Sequence, residues 1–418
     1  MPHSFKIPIE LTQERDAGAV PSDQRTLRYE LQAHVSDQPV TNGRIRATPL
    51  IDLTNYRFSA VLDWIAIAVT LPKRQATVNV GKSIKKRLNQ PELGGVSVNP
   101  LKKGGDRYTR EMKLTIQDPT LQRLSKVLDE LARRYDVPVE DGRAEHRVMG
   151  FELAIDIYPR PSKVKDNLEF ALRRVQMSEL LRKHFAPEQI FETGDFTEKR
   201  DSLRFNDGEG QHQIERPKGQ RGPRNLKDVP RLLLAATDPA NHLAAPVNAT
   251  VYLGKRSRPM SYRLQDKVAD QRDKDGEPRV KLSPKDRRSR IEVTLESTTL
   301  EGDTIPEQLD LFTVDDFSRR YWKGLRAVFF DFECPTFKAA PSGEPEPELV
   351  EVFKKTGVIG VKLCDLGNNA IDRATGKRHG DGRLVRQLGP RGHCVAYSEL
   401  NDRIGRALKQ MMKQFEDG

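Results

Sequence analysis

Apolar residues along this chain fall into runs with two different periods. Ser59 to Leu71 (SAVLDWIAIAVTL) is apolar and rich in β-branched residues, and Pro72 ends it, so it predicts a strand. Arg107 to Gln117 alternates polar and apolar, and Val148 to Tyr158 (VMGFELAIDIY) runs up to Pro159, which predicts two more. Asn248 to Lys255, Met260 to Lys267 and Ser289 to Glu296 predict three further strands. Other runs have helical spacing. Leu121, Leu124, Val127, Leu128 and Leu131 predict a helix from Asp118-Pro119 through Arg134, with Asp118 as its N-cap. Asp166 to Phe185 predicts a second helix, with Leu168, Leu172, Val175 and Leu180 on one face. Two more are predicted over Ile305 to Phe317 and Phe317 to Val328. In Ser398 to Phe415, the stripe of Ile404, Leu408, Met411, Met412 and Phe415 predicts a helix facing the core or a dimer partner.

Strands that alternate polar and apolar suit a sheet with helices on one face and the other face uncovered. The expected fold class is α+β: a mostly antiparallel sheet, helices on one face, two related halves, and a small C-terminal unit. The expected divisions are an N-terminal arm (1–45), a first half (46–190), a basic loop or linker (191–245), a second half (246–330), a Pro/Glu-rich linker (331–350) and a C-terminal unit (351–418). No residue-level repeat marks the two halves.

The 418 residues include 71 Lys and Arg against 60 Asp and Glu, a formal charge of +11 that favours a polyanionic partner. The three cysteines, Cys334, Cys364 and Cys394, are odd in number and far apart, which argues against a disulfide framework. The first residues lack a signal-peptide pattern, and the longest apolar run is too short to span a bilayer. A cytoplasmic protein that does not enter membranes is therefore expected.

Three predicted strands carry acids inside apolar runs: Asp63, then Glu152 and Asp156, then Glu292 and Glu296. Residues two or four apart on a strand share a face. A charge within a strand is costly unless it is paired or metal-bound. Hard oxygen ligands suit Mg²⁺ or Mn²⁺. The competing reading pairs these acids with nearby arginines such as Arg147 and Arg290 on a solvated face. The eight histidines form no H-x-H or H-E-x-x-H, and no phosphate loop or nucleophile elbow occurs. Val251 to Lys267 sets Tyr252 and Tyr262 among Lys255, Arg256, Arg258, Arg263 and Lys267. Such bases steer phosphates, and a tyrosine beside a metal-bound phosphate can attack it.

The order of these segments resembles the replication initiation factor family of rolling-circle plasmids, filamentous phages and integrative elements. The resemblance runs over about residues 55–330. It rests on Asp63-Trp64, Glu152 to Asp156, Y-x-G-x-R-S (Tyr252, Gly254, Arg256, Ser257), R-x-x-[DE]-K (Arg263, Asp266, Lys267) and R-x-E-x-x-x-E (Arg290, Glu292, Glu296). It implies a relaxase-like initiator that nicks one DNA strand through a tyrosine, with Mg²⁺ or Mn²⁺ held by carboxylates. By position, Asp63, Glu152 or Asp156, and Glu292 would hold the metal, and Arg263 and Lys267 would contact phosphate. Family members carry a tyrosine where this chain has Gln265. The nucleophile is then Tyr262 or Tyr252, or the chain binds DNA without cutting it. The basic segments with Lys218, Arg221 and Arg224, and with Lys255, Arg256 and Arg258, are expected to grip the backbone. Host replication proteins and a second copy of the chain are further expected partners. A non-catalytic DNA-binding protein of the same kind of element is the rival expectation, and an RNA-binding or scaffold protein a third.

Overall fold

The computed structural model describes residues 4–417 apart from 10–20, 22, 39, 90–94, 103, 188–202, 207–210, 214–246, 248–249, 254–259, 273–277, 298–304 and 375–391. The first part of the chain forms β1 (Ser4–Pro8), β2 (Thr26–His34), β3 (Arg44–Pro49), β4 (Tyr56–Ala76), α1 (Thr77–Arg87), β5 (Val96–Pro100), β6 (Tyr108–Gln117) and α2 (Leu121–Tyr135). Then come β7 (Val139–Glu140), β8 (Arg143–Ala144), β9 (Arg147–Pro159), α3 (Asn167–His184), β10 (Leu203–Asn206), β11 (Gln211–Gln213), β12 (Thr250–Leu253) and β13 (Met260–Lys267). The remainder forms β14 (Ala269–Arg272), β15 (Pro278–Lys281), β16 (Arg288–Glu296), α4 (Ile305–Gln308), α5 (Val314–Arg319), α6 (Arg326–Phe329), β17 (Glu333–Phe337), α7 (Pro347–Ala374), β18 (Cys394–Ala396) and α8 (Ser398–Asp417).

The fold is α+β. Its main sheet has nine strands in the order β11-β10-β12-β13-β16-β9-β4-β6-β5, and every neighbouring pair is antiparallel. Alternation divides it into two faces. Ile65, Ile67, Leu114, Ile116, Leu153, Ile155, Ile291 and Val293 are buried in the core on one face. The helices pack there: α3 against β9, β13 and β16, and α8 against β4. Both predicted halves contribute to this sheet and meet at the β9–β16 pair. Their connections differ: β10, β12, β13 and β16 form a plain meander, whereas β9 returns beside β4 rather than beside β6.

Several expectations need correction. The segment expected as an N-terminal arm carries sheet strands. β1, β2 and β3 join β17 and β18 in a five-stranded antiparallel sheet. Tyr29 is fully buried there and stacks on Phe5, with ring centroids 4.9 Å apart. The 331–350 linker is likewise structural where Glu333–Phe337 forms buried β17, so the C-terminal unit is tied into the N-terminal sheet. β1, β2 and β3 pair locally, but β3 meets β17 from about 300 residues away, so local composition carries no trace of that pairing. The two helices predicted over 305–328 are three short ones. Asp310 is left-handed (φ 55°) and Thr313 starts a new helix with a capping box. In α2 the cap is Thr120, whose hydroxyl accepts from the Arg123 amide, while Asp118 is itself left-handed at φ 43°. The α8 stripe is buried within the chain; Phe415 meets Phe317 at 5.6 Å, so that stripe is not free for a dimer.

Candidate metal centre

The acids lie on the sheet face away from the helices. Along β16, alternation sends Arg288, Arg290, Glu292, Thr294 and Glu296 to this face, while Ile291, Val293 and Leu295 go to the core. On β9 the same rule places Glu152, Ala154 and Asp156 here, and register sets Thr294 opposite Glu152 and Arg290 opposite Asp156. Asp63 arrives by a different route. The β4–β9 register shifts between Leu62 and Trp64, leaving Asp63 as the extra residue of a bulge. The bulge lets Asp63 and Trp64 both reach this face before Ile65 returns to the core. Trp64 packs there on Ala66, Ala68, Leu101 and Met149.

Asp63, Glu152 and Glu292 converge: one carboxylate oxygen from each lies within 4.8 Å of the other two. Glu292 is buried and the other two are half-buried. Arg290 holds this group from one side. Its Nη2 donates to both oxygens of Asp63 at 2.8 Å, and its Nε lies 3.2 Å from Glu292 and 3.1 Å from Asp156. Arg263 pairs with Glu292 from β13, Gln265 Nε2 donates to Glu292 at 2.9 Å, and Thr294 donates to Glu152 at 2.6 Å. Burial alone would lower the Arg290 pKa; Asp156, Asp63 and Glu292 together raise it instead. Glu152 is also raised, above a free carboxylate, which for an acid favours the neutral form. Burial raises its pKa, Thr294 opposes the shift, and Glu292 and Asp63 add to it through like-charge repulsion.

Asp156 does not join the three. It is buried between Arg288 Nε at 3.0 Å and Arg290 Nε at 3.1 Å, so its charge is met by arginine. Asp156 is thus paired with arginine, as the competing sequence reading had it, but at a buried position and with Arg288 and Arg290 rather than Arg147.

The two tyrosines separate by face. Tyr262 opposes Val293 and points into the core. It is 4% exposed, packs on Phe185, and donates to Met260 Sδ at 3.1 Å and to the Val328 carbonyl at 3.4 Å. Burial pushes its hydroxyl pKa far above the usual value. Tyr262 thus stands on the wrong side of the sheet to serve as the nucleophile beside these acids. Tyr252 is half-buried and opposes Arg263, which in turn opposes Glu292, so Tyr252 shares the acid-bearing face. Lys267 lies at the end of the same face, opposite Arg288. Lys218, Arg221, Arg224, Lys255, Arg256 and Arg258 lie outside the described residues.

A small hard cation fits the donor set. Around octahedral Mg²⁺ with bonds of about 2.1 Å, only one pair of the three oxygens can be trans, about 4.2 Å apart, and the other pairs are cis at about 3.0 Å, so the carboxylates would draw together by up to about 2 Å on binding the ion. The charge balance limits the affinity. Three carboxylates with Arg263 and Arg290 beside them carry a formal −1, so a dication is not held by the protein alone as strongly as by three bare acids. Sites of this kind draw remaining ligands from water and substrate phosphate. Arg288 and Thr294 were not singled out from sequence, and Gln265 was singled out only as the position where the family carries tyrosine. Strand alternation in RSRIEVTLE was the available signal, since it commits every second residue to one face.

No family model matches the chain, and no curated protein matches it. A solved rolling circle replication initiator protein from Geobacillus stearothermophilus is similar over 72% of this chain and 98% of that one. The identity is 12% and the TM-score 0.27. So distant a superposition establishes neither the fold nor the activity of this chain. No helix among the described residues is long and apolar enough to cross a membrane.

Proposed function

We propose that this protein initiates rolling-circle replication by binding DNA on the acid-bearing face and cleaving one strand there. The observation that carries the reading is the convergence of Asp63, Glu152 and Glu292 on the face that also presents Tyr252. The order of motifs along the sequence supports it independently, as does the charge of +11.

Asp63, Glu152 and Glu292 would hold Mg²⁺ or Mn²⁺, which would polarise a phosphate and offset charge developing on it. Arg263 stands between Tyr252 and Glu292, placed to hold a phosphate oxygen near the tyrosine hydroxyl. Gln265 and Thr294 fix the carboxylate orientations, and Arg290 holds Asp63 in place. Attack by the Tyr252 oxygen on phosphorus would form a 5′-phosphotyrosine. The departing oxygen would leave as a free 3′-OH for a host polymerase to extend.

The test is adduct formation on supercoiled DNA carrying the coding region and its flanks, with Mg²⁺, analysed in denaturing gels. The wild type and Tyr262→Phe are expected to form a covalent adduct, and Tyr252→Phe to form none. An undiminished adduct with Tyr252→Phe removes that nucleophile. A second reading, DNA binding without cleavage, is favoured by one observation: Arg290 and Arg263 already neutralise most of the carboxylate charge. Salt-dependent DNA binding with no metal-dependent adduct from any variant would establish it.

A further inference from the structure

At one end of the acid-bearing face the charge changes sign. Lys267 on β13 opposes Arg288 on β16. Arg288 lies one register step beyond the Ser289–Ile157 pair, alongside Tyr158 on β9. Tyr158 opposes Arg57 on β4. These four residues form one line across four strands, about 14 Å from end to end at the usual strand spacing. The Arg57 guanidinium carbon lies 4.3 Å from the Tyr158 ring centroid and that of Arg288 lies 5.6 Å from it. Arg57 is exposed, and no acid pairs with it among the described residues. Asp156 is the acid adjoining the line, and Arg288 and Arg290 already meet it.

We infer that Arg57, Tyr158, Arg288 and Lys267 form a subsite for the backbone of a single DNA strand, separate from the candidate metal centre. Two features point to that ligand. The line sets two guanidiniums against one aromatic ring, with a lysine two strands away, and cations beside an aromatic ring are the combination that tracks a phosphodiester chain and stacks bases without reading them. Arg288 is already engaged by Asp156, so the exposed Arg57 guanidinium over the ring is the group left to meet a phosphate. Glu292 lies four positions along β16 from Arg288, about 13 Å of strand. The strand gripped here is therefore a few nucleotides from the carboxylates, so the line fixes register and does not touch the reacting phosphate.

The inference rests on the DNA reading above, but its test is independent of cleavage. The full chain is titrated into a fluorescent oligothymidylate without divalent ions, and anisotropy is followed across a salt series. Arg57→Gln is expected to weaken binding about 5- to 10-fold and to flatten the log K against log salt slope by about 0.7, the value for one phosphate contact on a single strand. Tyr158→Leu is expected to weaken binding several-fold and Tyr158→Phe to restore it, because the ring rather than the hydroxyl supports Arg57. Arg57→Gln and Tyr158→Leu both matching the wild type in affinity and slope would overturn the subsite. So would a wild type that binds duplex DNA in preference to the single strand, and this result leaves the proposed cleavage function standing. Weakened oligothymidylate binding by the variants, alongside absence of any metal-dependent adduct, would support the subsite and remove only the cleavage reading.

Discussion

The two faces of the nine-stranded sheet handle buried charge in different ways. Toward the helices, Asp266 is one acid met by one cation. Arg174 Nε donates to it at 2.8 Å and Ser178 donates to it at 3.2 Å, while Ser289 accepts from Ser178 at 2.8 Å and donates to the Arg174 carbonyl at 2.9 Å. Away from the helices, Asp63, Glu152, Asp156 and Glu292 meet Arg263, Arg288 and Arg290, which leaves one uncompensated negative charge. The first arrangement is closed: every strong group has its partner inside the fold. The second is left one cation short, and three of its acids are close enough to share a metal ion. That deficit, rather than the mere presence of acids on strands, separates a candidate site from an ion pair that holds a helix to a sheet.

The comparison predicts different rescue behaviour. Arg174→Met and Arg290→Met each strip a cation from buried acids, and each is expected to cost about 3–5 kcal/mol of stability. Millimolar Mg²⁺ or Mn²⁺ is expected to restore part of the loss in Arg290→Met, by about 1.4 kcal/mol at a tenfold excess over Kd. It is expected to restore nothing in Arg174→Met, where Asp266 stands alone. Thermal melts of the two variants with and without the ion decide the matter. Equal responses would make the acid-bearing face a second closed ion-pair network.

The covered side also holds His184, between the Tyr29 hydroxyl at 3.0 Å and the Glu333 carbonyl at 2.7 Å. Burial lowers its pKa to about 4. The folded state therefore keeps it neutral, while the unfolded chain takes up a proton near pH 6.5. Its contribution is fully present above pH 6.5 and is lost as pH falls toward 4, by about 3 kcal/mol in all. Denaturant melts between pH 7 and pH 4 are expected to show this loss in the wild type and a smaller one in His184→Phe. Identical pH slopes for the two proteins would show that His184 does not respond to burial in this way.

How far the site was legible in the sequence follows from what strand alternation can encode. Glu152, Glu292 and Arg290 could be assigned to one face by counting in twos, and the helices of α3 and α8 by counting in threes and fours. Asp63 reached the same face through a bulge, which alternation does not announce; only the family resemblance set it beside Glu292. Asp156 illustrates the opposite failure: it has the right face and the right spacing, but Arg288 and Arg290 arrive from a strand more than 100 residues away and hold it apart. Tyr262 fails for the simplest reason. It lies an odd number of residues from Arg263 and Gln265, so the residues that share its motif turn to the acids while its own ring turns to Phe185. The five-stranded sheet was illegible because β1, β17 and β18 are short and the β3–β17 pair that joins its two parts spans most of the chain.

The tyrosines sharpen the contrast with a smaller effect. Removing the Tyr262 hydroxyl is expected to cost about 0.5–1 kcal/mol, since it gives up two long hydrogen bonds inside the core. Tyr252→Phe, at a half-buried position, is expected to stay within about 0.5 kcal/mol of the wild type. Activity is expected to rank them in reverse. Chemical denaturation beside the adduct assay tests both orders, and a Tyr252→Phe variant that unfolds more readily than Tyr262→Phe would contradict the assignment of faces.

The smallest effect belongs to Glu152. Its folded-state pKa is raised by burial and by Glu292 and Asp63, so ionising it opposes folding. The sign follows from linkage. Below the ordinary glutamate pKa both states are protonated and there is no penalty. As pH rises through the raised folded value the penalty grows, and at neutral pH it is fully present. Glu152→Gln is therefore expected to be slightly more stable than the wild type at pH 7 and no more stable at pH 4. A divalent ion reverses the preference, because it binds the ionised form and competes with the proton. In the wild type, Mn²⁺ affinity is expected to rise with pH through a midpoint above the ordinary glutamate value. In Glu152→Gln that dependence is expected to flatten. Melting temperature and Mn²⁺ titration at paired pH values read the two effects separately. A stability gain at pH 7 with an unchanged pH dependence of Mn²⁺ binding would leave Glu152 buried beside the ion but not bound to it.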